Sequence, residues 1–169
     1  VKFTAADGAP WTANLTLAQP LASGASATVA TQWTSTGSGV LTITAEVEIP
    51  KGGAEGMIVT EGGRFGGYGL FLSKGVAGFR SGKPVFLYNL LNLKRTIWSG
   101  PELGAGKHTI VFDFKSDGPG LGKGGTGVLY VGGKEVDRKS MEHGTPITCP
   151  EDETFDVGQD TRTGVALLE

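Results

Sequence analysis

Glu46 and Glu48 stand two residues apart in the run L-T-I-T-A-E-V-E-I. Period-two alternation puts both on one face of a strand, roughly 7 Å apart. Retaining glycosidases need two carboxyl groups about 5–5.5 Å apart and inverting ones about 6.5–9.5 Å, so the spacing permits such a pair. Nothing in the surrounding sequence would raise one carboxyl pKa and lower the other, and a solvated strand face is the better reading. Gly120–Gly127, G-L-G-K-G-G-T-G, matches G-x-G-x-x-G through Gly122, Gly124 and Gly127. A dinucleotide site needs that loop to open a helix whose amides hold the pyrophosphate. Here it leads into V-L-Y-V, a strand pattern, and Lys123 is followed by Gly124, so a P-loop fails as well.

The other reactive residues are sparse. His108 and His143 are the only histidines and lack zinc-ligand spacing. Cys149 has no basic neighbour to depress its pKa and reads as an inert thiol. No nucleophile-elbow sequence supports a Ser-His-Asp triad. Asp113, Asp117, Asp152, Asp156 and Asp160 could converge on a structural calcium, which takes six to eight oxygens, with Asp156 and Asp160 the leading members. No other cofactor is implied. Arg64, Phe65, Tyr68, Tyr88, Arg95 and Trp33 are the candidates for ligand or partner contact, since aromatics and Arg beside glycine-lined turns suit sugars or protein surfaces. The plainer alternative has Phe65 and Tyr68 closing the core, Arg64 pairing with an acid, and the Trp residues pinning the N-terminal arm.

These residues need a scaffold, and the chain patterns one from strands. Leu41, Ile43, Ala45, Val47 and Ile49 alternate with polar residues, as do His108, Ile110, Phe112 and Phe114 within Lys107–Lys115. Further strands are expected at Asn14–Leu17, Thr28–Trp33, Met57–Thr60, Tyr68–Ser73, Pro84–Asn89, Arg95–Ser99, Thr126–Val131, Lys134–Lys139 and Phe155–Val157. Leu21–Ser26 reads as a loop and Val76–Arg80 as a short connecting segment. Gly-Gly pairs are expected as turn and close-packing devices, Gly132-Gly133 closing a hairpin. No window keeps a 3.6-residue period. Glycine supplies 29 of 169 residues, more than twice the usual share of roughly 7 %, which suits many tight turns. The expected fold is all-β, a two-sheet antiparallel sandwich of jelly-roll or concanavalin-like form.

Fifteen basic against 17 acidic residues leave a net charge of −2, with no nucleic-acid footprint. No apolar run is long enough for a membrane span. A single cysteine rules out an internal disulfide and leaves cytoplasm and periplasm both open. Residues 1–38 read as an arm with edge strands, 39–167 as the sandwich, and 168–169 as a possible cloning scar.

Several long runs resemble the C-terminal domain of large bacterial arylsulfatases, of the alkaline-phosphatase superfamily. They are E-G-M-I-V-T-E-G-G-R-F-G-G-Y-G-L-F-L and G-K-P-V-F-L-Y-N-L-L-N-L-K-R within 55–95, then G-K-H-T-I-V-F-D-F, G-L-G-K-G-G-T-G-V-L-Y-V-G-G-K and D-E-T-F-D-V-G-Q-D. The resemblance runs from about Leu41 to Asp160. It implies a jelly-roll-like accessory domain that follows a sulfatase catalytic domain, in cis or in trans. It also implies what is missing: the family's formylglycine motif is C-x-P/A-x-R, whereas this chain reads Cys149-Pro150-Glu151-Asp152-Glu153, and the metal cluster has no counterpart. A non-catalytic domain is therefore expected. The alternatives are a carbohydrate-binding module and a β-sandwich glycosidase or esterase.

Overall fold

The structure is a computed structural model. It describes residues 40–73, 82–145 and 154–166, together with the strand backbone of 11–16 and 27–34. The expectations for Leu21–Ser26, Val76–Arg80, Cys149, Asp152 and 168–169 fall outside the described residues.

Among the described residues eleven strands follow in chain order: β1 Trp11–Thr16, β2 Ala27–Thr34, β3 Val40–Ile49, β4 Gly56–Gly63, β5 Gly66–Ser73, β6 Lys83–Leu90, β7 Lys94–Ser99, β8 Gly106–Ser116, β9 Gly125–Val131, β10 Lys134–Met141 and β11 Phe155–Val157. They form a six-stranded sheet, β1-β2-β3-β8-β9-β10, and a five-stranded sheet, β11-β4-β5-β6-β7, with every neighbouring pair antiparallel. The all-β sandwich expected from the alternation is what forms. The strands of the N-terminal arm are built into the first sheet, β2 pairing with β3 along its length.

The two sheets meet over an aromatic centre. Phe86 of β6 stacks on Phe112 of β8 at 3.5 Å between ring centroids, and Trp98 of β7 meets both edge-on at 5.7 and 5.1 Å. Trp98 is fully buried, and its Nε1–H donates to the carbonyl of Gly127 in β9 at 2.9 Å. That bond crosses from one sheet to the other and satisfies the indole's one polar group, which makes such burial tolerable. A Cβ at Gly127 would lie 2.7 Å from Trp98 Cζ2 and 2.8 Å from Phe112 Cζ. The last glycine of the dinucleotide-like motif is therefore a packing position, and the motif's loop leads into β9, not a helix. Where β7 and β10 come together, Asp137 accepts the Ser99 N–H at 2.9 Å and pairs with Lys139 at 3.0 Å, while Lys139 also donates to the Ile97 carbonyl. These polar contacts occupy backbone groups that an open edge strand would offer to other chains.

Of the two roles expected of Gly62-Gly63 and Gly66-Gly67, turn and close packing, the structure shows close packing. They pair in the β4–β5 ladder, Gly62 with Gly67 and Gly63 with Gly66, leaving Arg64-Phe65 as the turn. A Cβ on Gly62 would sit 2.1 Å from the Gly66 carbonyl oxygen, and one on Gly67 the same distance from that of Glu61. Only glycine tolerates this approach, and the two strands consequently run to the very tip of the hairpin.

Gly127→Ala should destabilise the fold by roughly 1–3 kcal/mol through overpacking. In a chain of this size that is a fall in melting temperature of several degrees, about 2–4 °C per kcal/mol. An unchanged transition in thermal denaturation would show that the aromatic centre is looser than described.

Candidate functional site

The β3–β4 and β7–β8 connections leave one end of the sandwich; the β4–β5, β6–β7 and β8–β9 turns leave the other. This second end carries most of the candidate contact residues. At the β4–β5 tip Arg64 and Phe65 are exposed, Phe65 by 59 %, with the guanidinium 5.8 Å from the ring centroid. The neighbouring β6–β7 turn offers Leu93, 84 % exposed, and Lys94.

Buried Asn89 of β6 ties these tips together. Its Nδ2 donates to the carbonyls of Gly63 at 3.0 Å and Arg64 at 2.8 Å, while its Oδ1 accepts the Asn92 N–H at 3.1 Å. Both amide hydrogens and the oxygen are thus used, as burial of an amide requires. Arg95, opposite Asn89 in register, donates from Nη2 to Asn92 Oδ1 at 2.6 Å. Its buried Nε has no partner among the described residues. Leu91 and Asn92 hold φ of 52° and 57°, and Arg162 holds 61°. Left-handed backbone costs a bulky residue such as Leu on the order of 1 kcal/mol or more, and it persists where the surroundings over-determine it. All three lie at this end of the sandwich, Arg162 beside Thr163, whose hydroxyl accepts the Arg64 N–H at 3.0 Å.

The remaining candidates have inward or structural positions. Tyr68 lies on the core-facing side of β5 and stacks on Phe86 at 5.7 Å, which corrects the idea of it as a surface contact. Tyr88 faces the same way; its hydroxyl meets the Thr145 hydroxyl and accepts the Thr145 N–H at 2.8 Å. Beside Tyr88 is a depression lined by Leu90, Lys94, Thr96, Met141, Glu142 and His143, with a volume of about 30 Å³, space for about two waters. Trp33 is paired in register with Leu41, but its side chain lies outside those described. Glu46 and Glu48 are exposed on the first sheet, opposite Thr109 and Lys107.

Asp156 and Asp160 hold the C-terminal segment in place. Asp156 Oδ2 accepts from the Thr161 N–H at 3.0 Å and from the Thr154 and Thr161 hydroxyls; Asp160 Oδ2 accepts the Val165 N–H at 3.0 Å. Asp113 accepts from Thr42 across the first sheet at 2.7 Å. Among the described residues no three Asp, Glu, His or Cys side chains gather as a metal-holding group. Burial pushes the Asp156 carboxyl up, but the Thr161 hydroxyl and amide, Thr154 and the charge of Arg162 together hold it below its ordinary value. Asp137 behaves likewise: burial raises it, and the Ser99 amide and Lys139 more than offset this.

The segment so held reaches a second apolar surface. Val165 and Ala166 pack with Met57, Phe71, Val85 and Leu87, on the face of the second sheet turned away from the first. A Cβ on Gly69 would be 3.0 Å from Val165 Cγ1, so a bare backbone admits the segment there. β4, β5 and β6 are accordingly apolar on both faces. Ile97, the register partner of Leu87, continues this outer face and is 42 % exposed. Sequence reasoning missed Asn89, Leu93 and Ile97. The two-sided apolar runs M-I-V-T and L-F-L were the one available sign of the second surface. No known family model, curated protein or solved structure matches the chain.

Two measurements check this site. Asn89→Ala leaves buried groups of the β4–β5 tip and the Leu90–Leu93 turn unpaired, and should cost about 2–4 kcal/mol in urea unfolding; a loss under about 0.5 kcal/mol would mean that the tips are held by something else. Asp156 and Asp137 have depressed folded-state values, so their stabilisation is complete above the unfolded carboxylate pKa of about 3.9 and disappears as pH falls through the lower folded value. Stability should therefore drop on acidification below about pH 5. Asp156→Asn and Asp137→Asn should each flatten that drop, and an unaltered pH profile in both variants would refute the assignment.

Proposed function

We propose that this chain is a non-catalytic accessory β-sandwich that packs on a catalytic domain, in cis or in trans, and that the domain it serves is a sulfatase. The observation that carries this reading is the second sheet, apolar on both faces and continued by exposed Ile97. Sheets clad on both sides read as unbroken apolar runs, whereas a sheet with one wet face alternates. The strap carrying Val165 and Ala166 supplies part of the cladding, and a partner domain seated against Ile97 and Arg95 extends it. The side chains with chemical potential also favour an accessory role. Asn89, Tyr88, Asp156 and Asp160 use their polar atoms to hold loops. The sulfatase assignment rests on the motif resemblance described above.

A carbohydrate-binding reading has one observation in its favour. Tyr130 stands half-buried on the open face of the first sheet, its register position next to the exposed Arg138–Glu135 ion pair at 2.6 Å. An aromatic beside a charged pair suits a sugar ring and its hydroxyls.

The test is a titration of the chain against the catalytic domain encoded in the same or the adjacent reading frame, followed by calorimetry. A complex should form, and Ile97→Asp should weaken it at least about tenfold, since a buried unpaired charge costs well over the 1.4 kcal/mol that corresponds to tenfold. No complex, or one indifferent to Ile97→Asp, would overturn the reading. Chromogenic aryl sulfate should not be turned over by the chain alone, and glycan binding abolished by Tyr130→Ala would favour the carbohydrate alternative.

A further inference from the structure

The two ends of the sandwich differ in a way that the accessory reading does not use. Of the large hydrophobic side chains exposed among the described residues, Val40, Phe65, Leu93 and Leu121 are all at one end, and Ile97 alone is elsewhere. Phe65, Leu93 and Leu121 occupy the tips of three alternate connections: β4–β5, β6–β7 and β8–β9. The tips are joined as one body. Asn89 binds the first to the second, and a Cβ on Gly66 would be 4.0 Å from Leu91 Cδ2. The third is joined through Gly122, whose N–H donates to the Thr145 carbonyl, while the Thr145 N–H donates to Tyr88. The exposed charges at this end, among the described residues, are Arg64, Lys94, Lys115, Lys123 and Arg162 against Asp117 and Glu142. Among the described residues this end thus sets five cations against two anions around its apolar tips.

We propose that this end docks on the surface of a membrane containing anionic lipid, with Phe65, Leu93 and Leu121 entering the interface and Arg64, Lys94 and Lys123 meeting the headgroups. The exposed apolar residues stand on three separate turns. A rigid protein would need a matching pocket for each, whereas the headgroup–acyl boundary accepts apolar knobs wherever they fall. Aromatic and aliphatic residues ringed by Lys and Arg are the composition that interfacial binding uses. Such binding involves no span, and among the described residues no helix is long and apolar enough to cross a membrane. The rigid Asn89 scaffold suits the role, because tips that are already ordered lose little entropy on insertion.

The test is co-sedimentation of the 169-residue chain with phosphatidylcholine vesicles, with and without phosphatidylglycerol. Binding should require the anionic lipid and fall steeply between 0.1 and 1 M salt, where the screening length drops from about 10 to about 3 Å. Each cation near the surface is worth roughly fivefold in affinity, so R64E/K94E should lower binding by at least about 25-fold. F65A/L93A should lower it at least about tenfold, and Phe65→Trp should give an emission that shifts to the blue only with anionic vesicles. All these side chains are exposed, so the variants are expected to fold, and an unchanged melting curve verifies it. K51E/K134E, at the opposite end, and Ile97→Asp, on the proposed domain contact, should bind vesicles as the parent does. Absence of vesicle binding, binding indifferent to the tip variants, or equal loss in K51E/K134E would each overturn the proposal. Failure here leaves the Ile97 titration unaffected, so the two readings stand or fall separately.

Discussion

The hydrogen bond from Trp98 to the Gly127 carbonyl joins the two sheets at the point where Phe86, Phe112 and Trp98 meet. An indole is the largest side chain a sandwich can bury, and burying it costs free energy unless its N–H is satisfied. The partner here is backbone on the facing sheet, so the bond sets both the separation of the sheets and their lateral register. Glycine at 127 is the corollary. The indole edge and the Phe112 ring take the space that any side chain would occupy. A motif with the spacing of a nucleotide loop is in this way an imprint of core packing.

From that centre, order is passed outward by polar side chains. Asn89 lies three residues along β6 from Phe86 and fastens two hairpin tips through three bonds. Asp137 and Lys139 fix the margin where β7 and β10 converge. Asp156 and Asp160 hold the C-terminal segment, which delivers Val165 and Ala166 to the outer face of the second sheet. Buried or half-buried carboxylates and amides are costly unless their bonds are complete, and here completing them is what places the loops. The molecule therefore combines a rigid interior with tips and an outer face on which Phe65, Leu93, Leu121 and Ile97 stay exposed.

The geometry divides the chain's candidates by where they point. Arg64 and Phe65 project from a tip and Arg95 supports it, whereas Tyr68 and Tyr88 face inward, although all five come from one meander. Register decides this, since a shift of one residue turns a strand side chain to the opposite face. Tyr68 is one residue beyond Gly67 and so faces the core. Glu46 and Glu48 share a wet face, and Asp156 and Asp160 each bond to backbone N–H groups nearby.

Local chemistry made much of the fold legible. Alternation marked β3 and β8 to within a residue, because one wet face and one dry face write themselves into every second position. Gly132-Gly133 marked the β9–β10 turn, because both residues take positive φ, of 56° and 76°. The glycine pairs of β4 and β5 were open to two readings, as turn or as ladder, since glycine serves positive φ and close approach equally well. Only the paired strands distinguish them. Asn89, Leu93 and Ile97 carry no local sign of their roles, which depend on partners 25 residues away along the chain or on being left uncovered at a tip. The sequence by itself determined the strands, their faces and the all-β class, because these follow from period and turn chemistry. The tertiary structure alone decided which polar groups are used up inside and which apolar ones remain outside, because that depends on how the two sheets come together over Trp98 and Gly127.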